Sequence, residues 1–272
     1  MSDIVKDIVR KAFSTHADYY DSLAVVQKRV TDRFTELLSN NTAPSQAILD
    51  IGAGTGRLLE ALNKKFPDAE LVGVDLAFGM TSYAKKRFQE SANVSLACGD
   101  AECLPFRDGS FDLVVSTSTY QWLDPLESAF AEAFRVLRPS GRFSFALFGE
   151  RTLFELRESY KSAVSTAGRA FPDRTHKFVS RENVLDMLRV AGFQTVSAES
   201  EIEVEVHGEV KELIRSLKGI GAGSASGSTP GGLSGRRVIE GMIQVYNDRF
   251  SVPGGVPATY EVIYGKALKP AL

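Results

Sequence analysis

The chain has 272 residues, 43% of them apolar, and a formal net charge of -2 at neutral pH. That length accommodates one domain with insertions or a domain plus a cap, and the near-neutral balance lacks the basic stripe of a nucleic-acid binder. No apolar run approaches the roughly 20 residues that span a bilayer, the charged start Met1-Ser2-Asp3-Ile4-Val5-Lys6-Asp7 is unlike a secretory leader, and two cysteines are too few for a disulfide scaffold.

Two helical patterns open the chain, at about Asp3 to Phe13 and Tyr20 to Leu38. In the second, Val25, Val26, Val30, Phe34, Leu37 and Leu38 recur at helical spacing. Asn40 to Pro44 breaks the pattern. Short apolar strands follow at Ala47–Ile51, Leu71–Asp75, Val94–Ala97, Asp112–Ser116 and Arg142–Leu147, with helices near Gly56–Phe66, Gly79–Gln89 and Pro125–Val136. Strictly alternating β and α units predict a mostly parallel sheet covered by helices on both faces, with the site at the strand ends along one edge. Beyond Leu147 the pattern loosens. Helices are expected at Thr152–Ser165, Arg181–Ala191, Glu209–Leu217 and Val238–Phe250, with a Gly/Ser-rich loop over Gly219–Gly235. Gln194–Val206 reads as a strand, because Ile202, Val204 and Val206 alternate with glutamates. Ala258–Leu268 closes as a strand with Tyr260, Val262 and Tyr264 on one face. The chain thus divides into an N-terminal helical cap (1–40), a binding core (41–148) and the rest of the sheet with cap insertions at 149–180 and 207–256. Cys98 and Cys103 are expected to be reduced thiols in a cytoplasmic protein. His16, His176 and His207 are scattered, so no metal site is expected.

The richest local signal is Ile48-Leu49-Asp50-Ile51-Gly52-Ala53-Gly54-Thr55-Gly56, an apolar strand, three alternating glycines and a helix start. Glycine permits a tight turn and lets a ligand approach the backbone, while the helix start aims free N–H groups into the loop. Leu71-Val72-Gly73-Val74-Asp75 places a carboxylate at the end of the next strand, where it can accept two ribose hydroxyls.

In combination, D-I-G-A-G-T-G, G-V-D, Gly99-Asp100-Ala101-Glu102-Cys103-Leu104-Pro105-Phe106, Phe111-Asp112-Leu113-Val114-Val115-Ser116 and Val136-Leu137-Arg138-Pro139-Ser140-Gly141-Arg142 resemble the class I S-adenosylmethionine-dependent methyltransferases. The resemblance covers about residues 46–148 and implies an α/β, Rossmann-like fold with a seven-stranded, mostly parallel sheet and a helical cap. It implies that Asp50 and Gly52, Gly54 and Gly56 flank the methionine part of S-adenosylmethionine, that Asp75 binds the ribose, that Asp100 and Ala101 contact adenine, that Ala53 and Leu76 also bind the cofactor, and that Ser116 lines the site. G-x-G-x-G in place of G-x-G-x-x-G disfavours a dinucleotide oxidoreductase.

The flanks extend the resemblance. Phe13 with Tyr20 and Gln27, Gln121-Trp122, Thr152-Leu153-Phe154-Glu155-Leu156, Ser216-Leu217-Lys218-Gly219-Ile220-Gly221-Ala222 and Thr259-Tyr260 are similar to the malonyl-acyl-carrier-protein O-methyltransferases of biotin synthesis. The implied reaction is methyl transfer to the free carboxylate of a malonyl thioester, with Gln27 at the cofactor and Tyr20, Trp122, Lys218 and Arg151 as catalytic candidates. A carboxylate is ionised well below neutrality, so alignment and exclusion of water are expected to carry the rate rather than a base. Residues 151–181 hold a local excess of four positive charges, which suits an acidic acyl carrier protein as partner. A methyltransferase acting on another small acid or a quinone precursor, and a cofactor-binding protein without catalysis, stay open at this point.

Overall fold

The computed structural model describes residues 3–39, 46–166, 176–221 and 232–271. Two helices lead in, α1 (Asp3–Leu23) and α2 (Val25–Ser39). They are followed by β1 (Ala47–Ile51), α3 (Arg57–Lys65), β2 (Glu70–Asp75), α4 (Phe78–Arg87), β3 (Val94–Cys98), β4 (Phe111–Thr117), α5 (Leu126–Val136) and β5 (Leu137–Phe148). The second half adds α6 (Phe154–Thr166), α7 (Arg181–Val190), β6 (Gln194–His207), α8 (Val210–Gly219), α9 (Gly232–Phe250) and β7 (Val256–Leu268). The strands form one seven-stranded sheet in the order β3-β2-β1-β4-β5-β7-β6. β1 to β5 pair in parallel, and β7 runs antiparallel to both β5 and β6.

The central strands are apolar on both sides because both faces are covered. In β1, Ile48 packs with Leu58, Leu62 and the α2 residues Val26, Val30 and Phe34, whereas Leu49 and Ile51 face Val114, Phe130, Phe143 and Leu188. α3 buries Leu58, Leu59 and Leu62 along one stripe. Glu60 sits in its first turn and Lys64 and Lys65 in its last, which complements the helix dipole. The order of connection reverses on either side of β1 and β4. The carboxyl ends of those strands therefore open a crevice, as expected for a sheet of this winding.

Two local readings change, at the end of α1 and at the start of α9. α1 runs unbroken to Leu23 across the polar stretch Ser14–Asp18, where Thr15 and His16 bond back to the carbonyls of Lys11 and Ala12 and so stay within the helix. The boundary falls instead at buried Ala24. β6 is a strand as expected, with its apolar side outward: Ile202, Val204 and Val206 are exposed, while Glu201 and Glu203 turn toward α2 and pair with Arg33 and Arg29. Tyr260, Val262 and Tyr264 do share one face of β7, packed into the layer with α2. The segment 222–231 of the expected Gly/Ser-rich loop lies outside the described residues, and α9 begins at Gly232.

Candidate active site

The turn after β1 is shaped by its glycines. Gly52, Gly54 and Gly56 have φ of 74°, 54° and 86°, in the left-handed region that side chains disfavour. A Cβ on Gly52 would lie 2.0 Å from the Thr119 hydroxyl oxygen, and one on Gly56 would lie 2.6 Å from the Phe88 ring. Gly54 differs: its nearest neighbour would be a backbone oxygen 4.0 Å away, so the space beside it is open. The N–H groups of Gly52 and Ala53 both donate to the carbonyl of Val74, which ties the turn to β2.

Two acids stand over this turn. Asp75, at the end of β2, accepts from the N–H of Gly54 at 2.9 Å and of Ala77 at 2.7 Å. Burial raises its carboxyl above the usual range, and those two donors oppose the shift. Asp50, on β1, is 1% exposed, and its Oδ2 has no partner among the described residues. Burial, and then the charge of Asp75, push the Asp50 carboxyl up to about 8. A buried acid with an unused oxygen is suited to a cationic ligand group.

Two cavities adjoin here, of about 790 and about 450 Å³, sharing Tyr20, Gly52, Gly54, Thr117 and Ser118 as walls. The larger contains Asp75, Leu76, Asp100, Ala101 and Trp122. The smaller contains Gln27, Asp50 and Ala53. α1 roofs the larger cavity with Lys6, Val9, Arg10, Phe13 and Tyr20. It is held at one end by Lys6, 2.6 Å from Asp100 and 3.0 Å from Glu102. At the other end Asp21 accepts from Thr55 at 2.7 Å and pairs with Arg87 at 2.7 Å. Phe13 meets Trp122 edge-on at 5.7 Å, and Trp122 packs on His176 at 5.0 Å. His176 Nε2 lies 2.8 Å from the Gln121 carbonyl oxygen and donates to it, while burial lowers the imidazole's pKa, so the ring is a neutral wall. Burial, followed by the charges of Asp75 and Asp21, raises the Tyr20 phenol well above its ordinary value, so it acts as a donor and not as a base.

The residues expected from sequence therefore converge, with exceptions. Gly56 shapes the turn but does not line either cavity. Ser116 is fully buried and donates to the Ile51 carbonyl at 2.7 Å, stitching β4 to β1; Thr117 and Ser118, the next residues, form the wall instead. Arg151 and Lys218 are exposed and reach neither cavity. Arg151 meets Glu261 through its backbone N–H, and Lys218 sits in the last turn of α8. Sequence reasoning missed Lys6, Arg10, Lys28, Ser118 and Thr119. The spacing of Lys6, Val9, Arg10 and Phe13 on one helical face was the available signal. Ser118 has a φ of 56° and a buried hydroxyl without a partner among the described residues, at the junction of the two cavities.

Residues 49–145 match the family described as "Methyltransferase domain". Malonyl-[acyl-carrier protein] O-methyltransferase of Geobacter sulfurreducens is 49% identical over 94% of this chain and 96% of its own. The biotin biosynthesis bifunctional protein BioHC of Teredinibacter turnerae is 35% identical over 96% of this chain, which spans 46% of that longer protein. Among solved structures, the YcgJ protein from Bacillus subtilis shares the fold, with a TM-score of 0.63 and 19% identity over 89% of this chain and 100% of that one. Near end-to-end identity of 49%, on a sheet whose crevice carries the expected acids and glycines, places the chain in the family of malonyl-[acyl-carrier protein] O-methyltransferases.

Proposed function

We propose that the chain transfers a methyl group from S-adenosylmethionine to the free carboxylate of malonyl-acyl-carrier protein, giving the malonyl methyl ester that starts the pimeloyl chain of biotin. The observation that carries this reading is the pair of adjoining cavities, walled by Asp50, Asp75 and Tyr20, in a chain 49% identical to a malonyl-[acyl-carrier protein] O-methyltransferase. The site fits the cofactor: Asp50 offers a buried oxygen without a partner among the described residues, and the space beside Gly54 is open. When bound, S-adenosylmethionine supplies a methyl carbon on a positively charged sulfur, open to in-line displacement by a carboxylate oxygen. The chain's residues hold and align. Asp50 and the β1–α3 turn would hold the methionyl group, Asp75 the ribose, and Asp100 with Ala101 the base. Tyr20, protonated at all working pH values, donates toward the acceptor carboxylate. Trp122 and Phe13 exclude water from the acceptor side.

In this reading α1 roofs the reaction, residues 41–148 hold the cofactor, and the later segments cover the acceptor. The carrier protein docks on the basic segment that includes Lys161 on α6 and Lys177 beyond it, both exposed. Arg169 and Arg174 of that segment lie outside the described residues. Arg157 is committed to the fold instead: it donates to the Glu150 carbonyl and lies 5.9 Å from the Phe178 ring. Side-by-side methylation of malonyl-carrier protein, free malonate and quinone precursors tests the proposal. Turnover confined to the malonyl thioester supports it, and preference for a quinone precursor overturns it.

A further inference from the structure

The smaller cavity has an acidic wall and a basic one. On one side Asp50 holds out a buried oxygen with no partner among the described residues. On the other, α2 presents Ala24, Gln27, Lys28 and Thr31, spaced at i, i+3, i+4 and i+7 and so forming one helical stripe. The cations around this stripe are committed elsewhere. Arg29 pairs with Glu203, Arg33 with Glu201, Arg57 with Asp32 and Arg87 with Asp21. Lys28 is half-buried in the cavity wall and has no carboxylate partner among the described residues. An ammonium partly withdrawn from water without a counter-charge is unfavourable, and a ligand that brings a carboxylate reverses that cost.

We propose that Lys28, aided by the Gln27 amide, binds the α-carboxylate of the methionyl group of S-adenosylmethionine, while Asp50 receives its α-ammonium. The smaller cavity is then a subsite for an amino-acid zwitterion, with its cationic wall on α2 and its anionic wall on β1. This inference rests on the cofactor reading above and adds the residue that distinguishes the intact amino-acid head from a decarboxylated one. It also gives α2 a second role. The face carrying Val26, Val30 and Phe34 packs against the sheet, and the stripe with Lys28 faces the ligand.

The test is calorimetric titration of the full chain with S-adenosylhomocysteine and with its decarboxylated analogue, which keeps the adenosine, the thioether and the amine. Lys28→Met should weaken S-adenosylhomocysteine about tenfold or more, as expected for loss of a hydrogen bond between charged groups. The decarboxylated analogue should bind the variant as tightly as the parent, or more tightly, because an ammonium facing its amine is gone. Lys28→Arg should retain most of the affinity for S-adenosylhomocysteine. An equal loss for both ligands, or no loss for either, overturns the assignment. A parent protein that fails to bind S-adenosylhomocysteine at all overturns the cofactor reading instead, so the two failures are distinguishable.

Discussion

Cofactor binding should release a proton, and Asp50 is its source. Before the cofactor binds, burial and the neighbouring Asp75 hold the Asp50 carboxyl up to about 8. At pH 7 such a group is about nine-tenths protonated. A ligand ammonium beside it favours the ionised form, so binding at pH 7 should expel about 0.9 proton per ligand. The affinity follows the fraction of Asp50 already ionised. That fraction falls as pH drops from 8 to 6, so S-adenosylhomocysteine should bind more weakly at the lower pH, by about tenfold or more. Titration calorimetry in two buffers of different ionisation enthalpy at one pH measures the proton count directly. In Asp50→Asn most of the proton release and pH dependence should be lost, leaving the part due to Asp75, with weaker binding at pH 8. The unliganded variant should also melt higher than the parent at alkaline pH. A carboxyl whose pKa is raised by folding costs the fold progressively more as pH climbs from about 4 to about 8. A proton count near zero for the parent at pH 7 would refute the reasoning, because Asp50 would then already be ionised before the cofactor binds.

The remaining expectations separate fold from chemistry. Gly52→Ala should cost about 2 kcal/mol or more of stability, since its φ is 74° and its Cβ would overlap Thr119. Gly54→Ala should cost only about 1–2 kcal/mol, the penalty for a left-handed residue, yet lose most cofactor affinity because its side chain points into open ligand space. Paired melting curves and titrations check both. Tyr20→Phe should lower the transfer rate more than it lowers cofactor affinity, and equal turnover at saturating substrate would count against a donor role. Lys161→Glu with Lys177→Glu should raise KM for malonyl-carrier protein and leave a short malonyl thioester nearly unaffected, with added salt mimicking the change. Parallel loss for both substrates would place those lysines in support of the fold.

The cofactor half of the site was legible because its chemistry is local. A turn that demands glycine, and an acid at the end of the next strand, are written within a few residues of each other and cannot be moved without losing the geometry. The roof was less legible. Lys6 and Arg10 reach the cavity only because α1 continues through Ser14–Asp18, a polar stretch whose side chains bond back to the helix and that looks like a break by pattern alone. Arg151 and Lys218 are carried over by resemblance alone, and the fold places them outside both cavities. Both lie in matching stretches, and both point to solvent. β6 is the converse case. Its alternation identified the strand, but its buried face is the glutamate face, because α2 supplies arginines there and no apolar layer covers Ile202, Val204 and Val206.

Ser118 gives the protein engineer a warning. It holds a backbone conformation in which glycine would rest more easily, and it buries a hydroxyl with no partner among the described residues. Each of these costs about 1–3 kcal/mol in a typical protein. A search for stabilising substitutions would therefore reach glycine at position 118 early and rank it highly. It would do so at the seam between the two cavities, where a tighter fold and a working one make opposite demands. Selection for heat resistance, run without an activity screen, would accept this change as readily as those at Ser140, Leu153 and Thr195, whose φ is also positive and which line neither cavity.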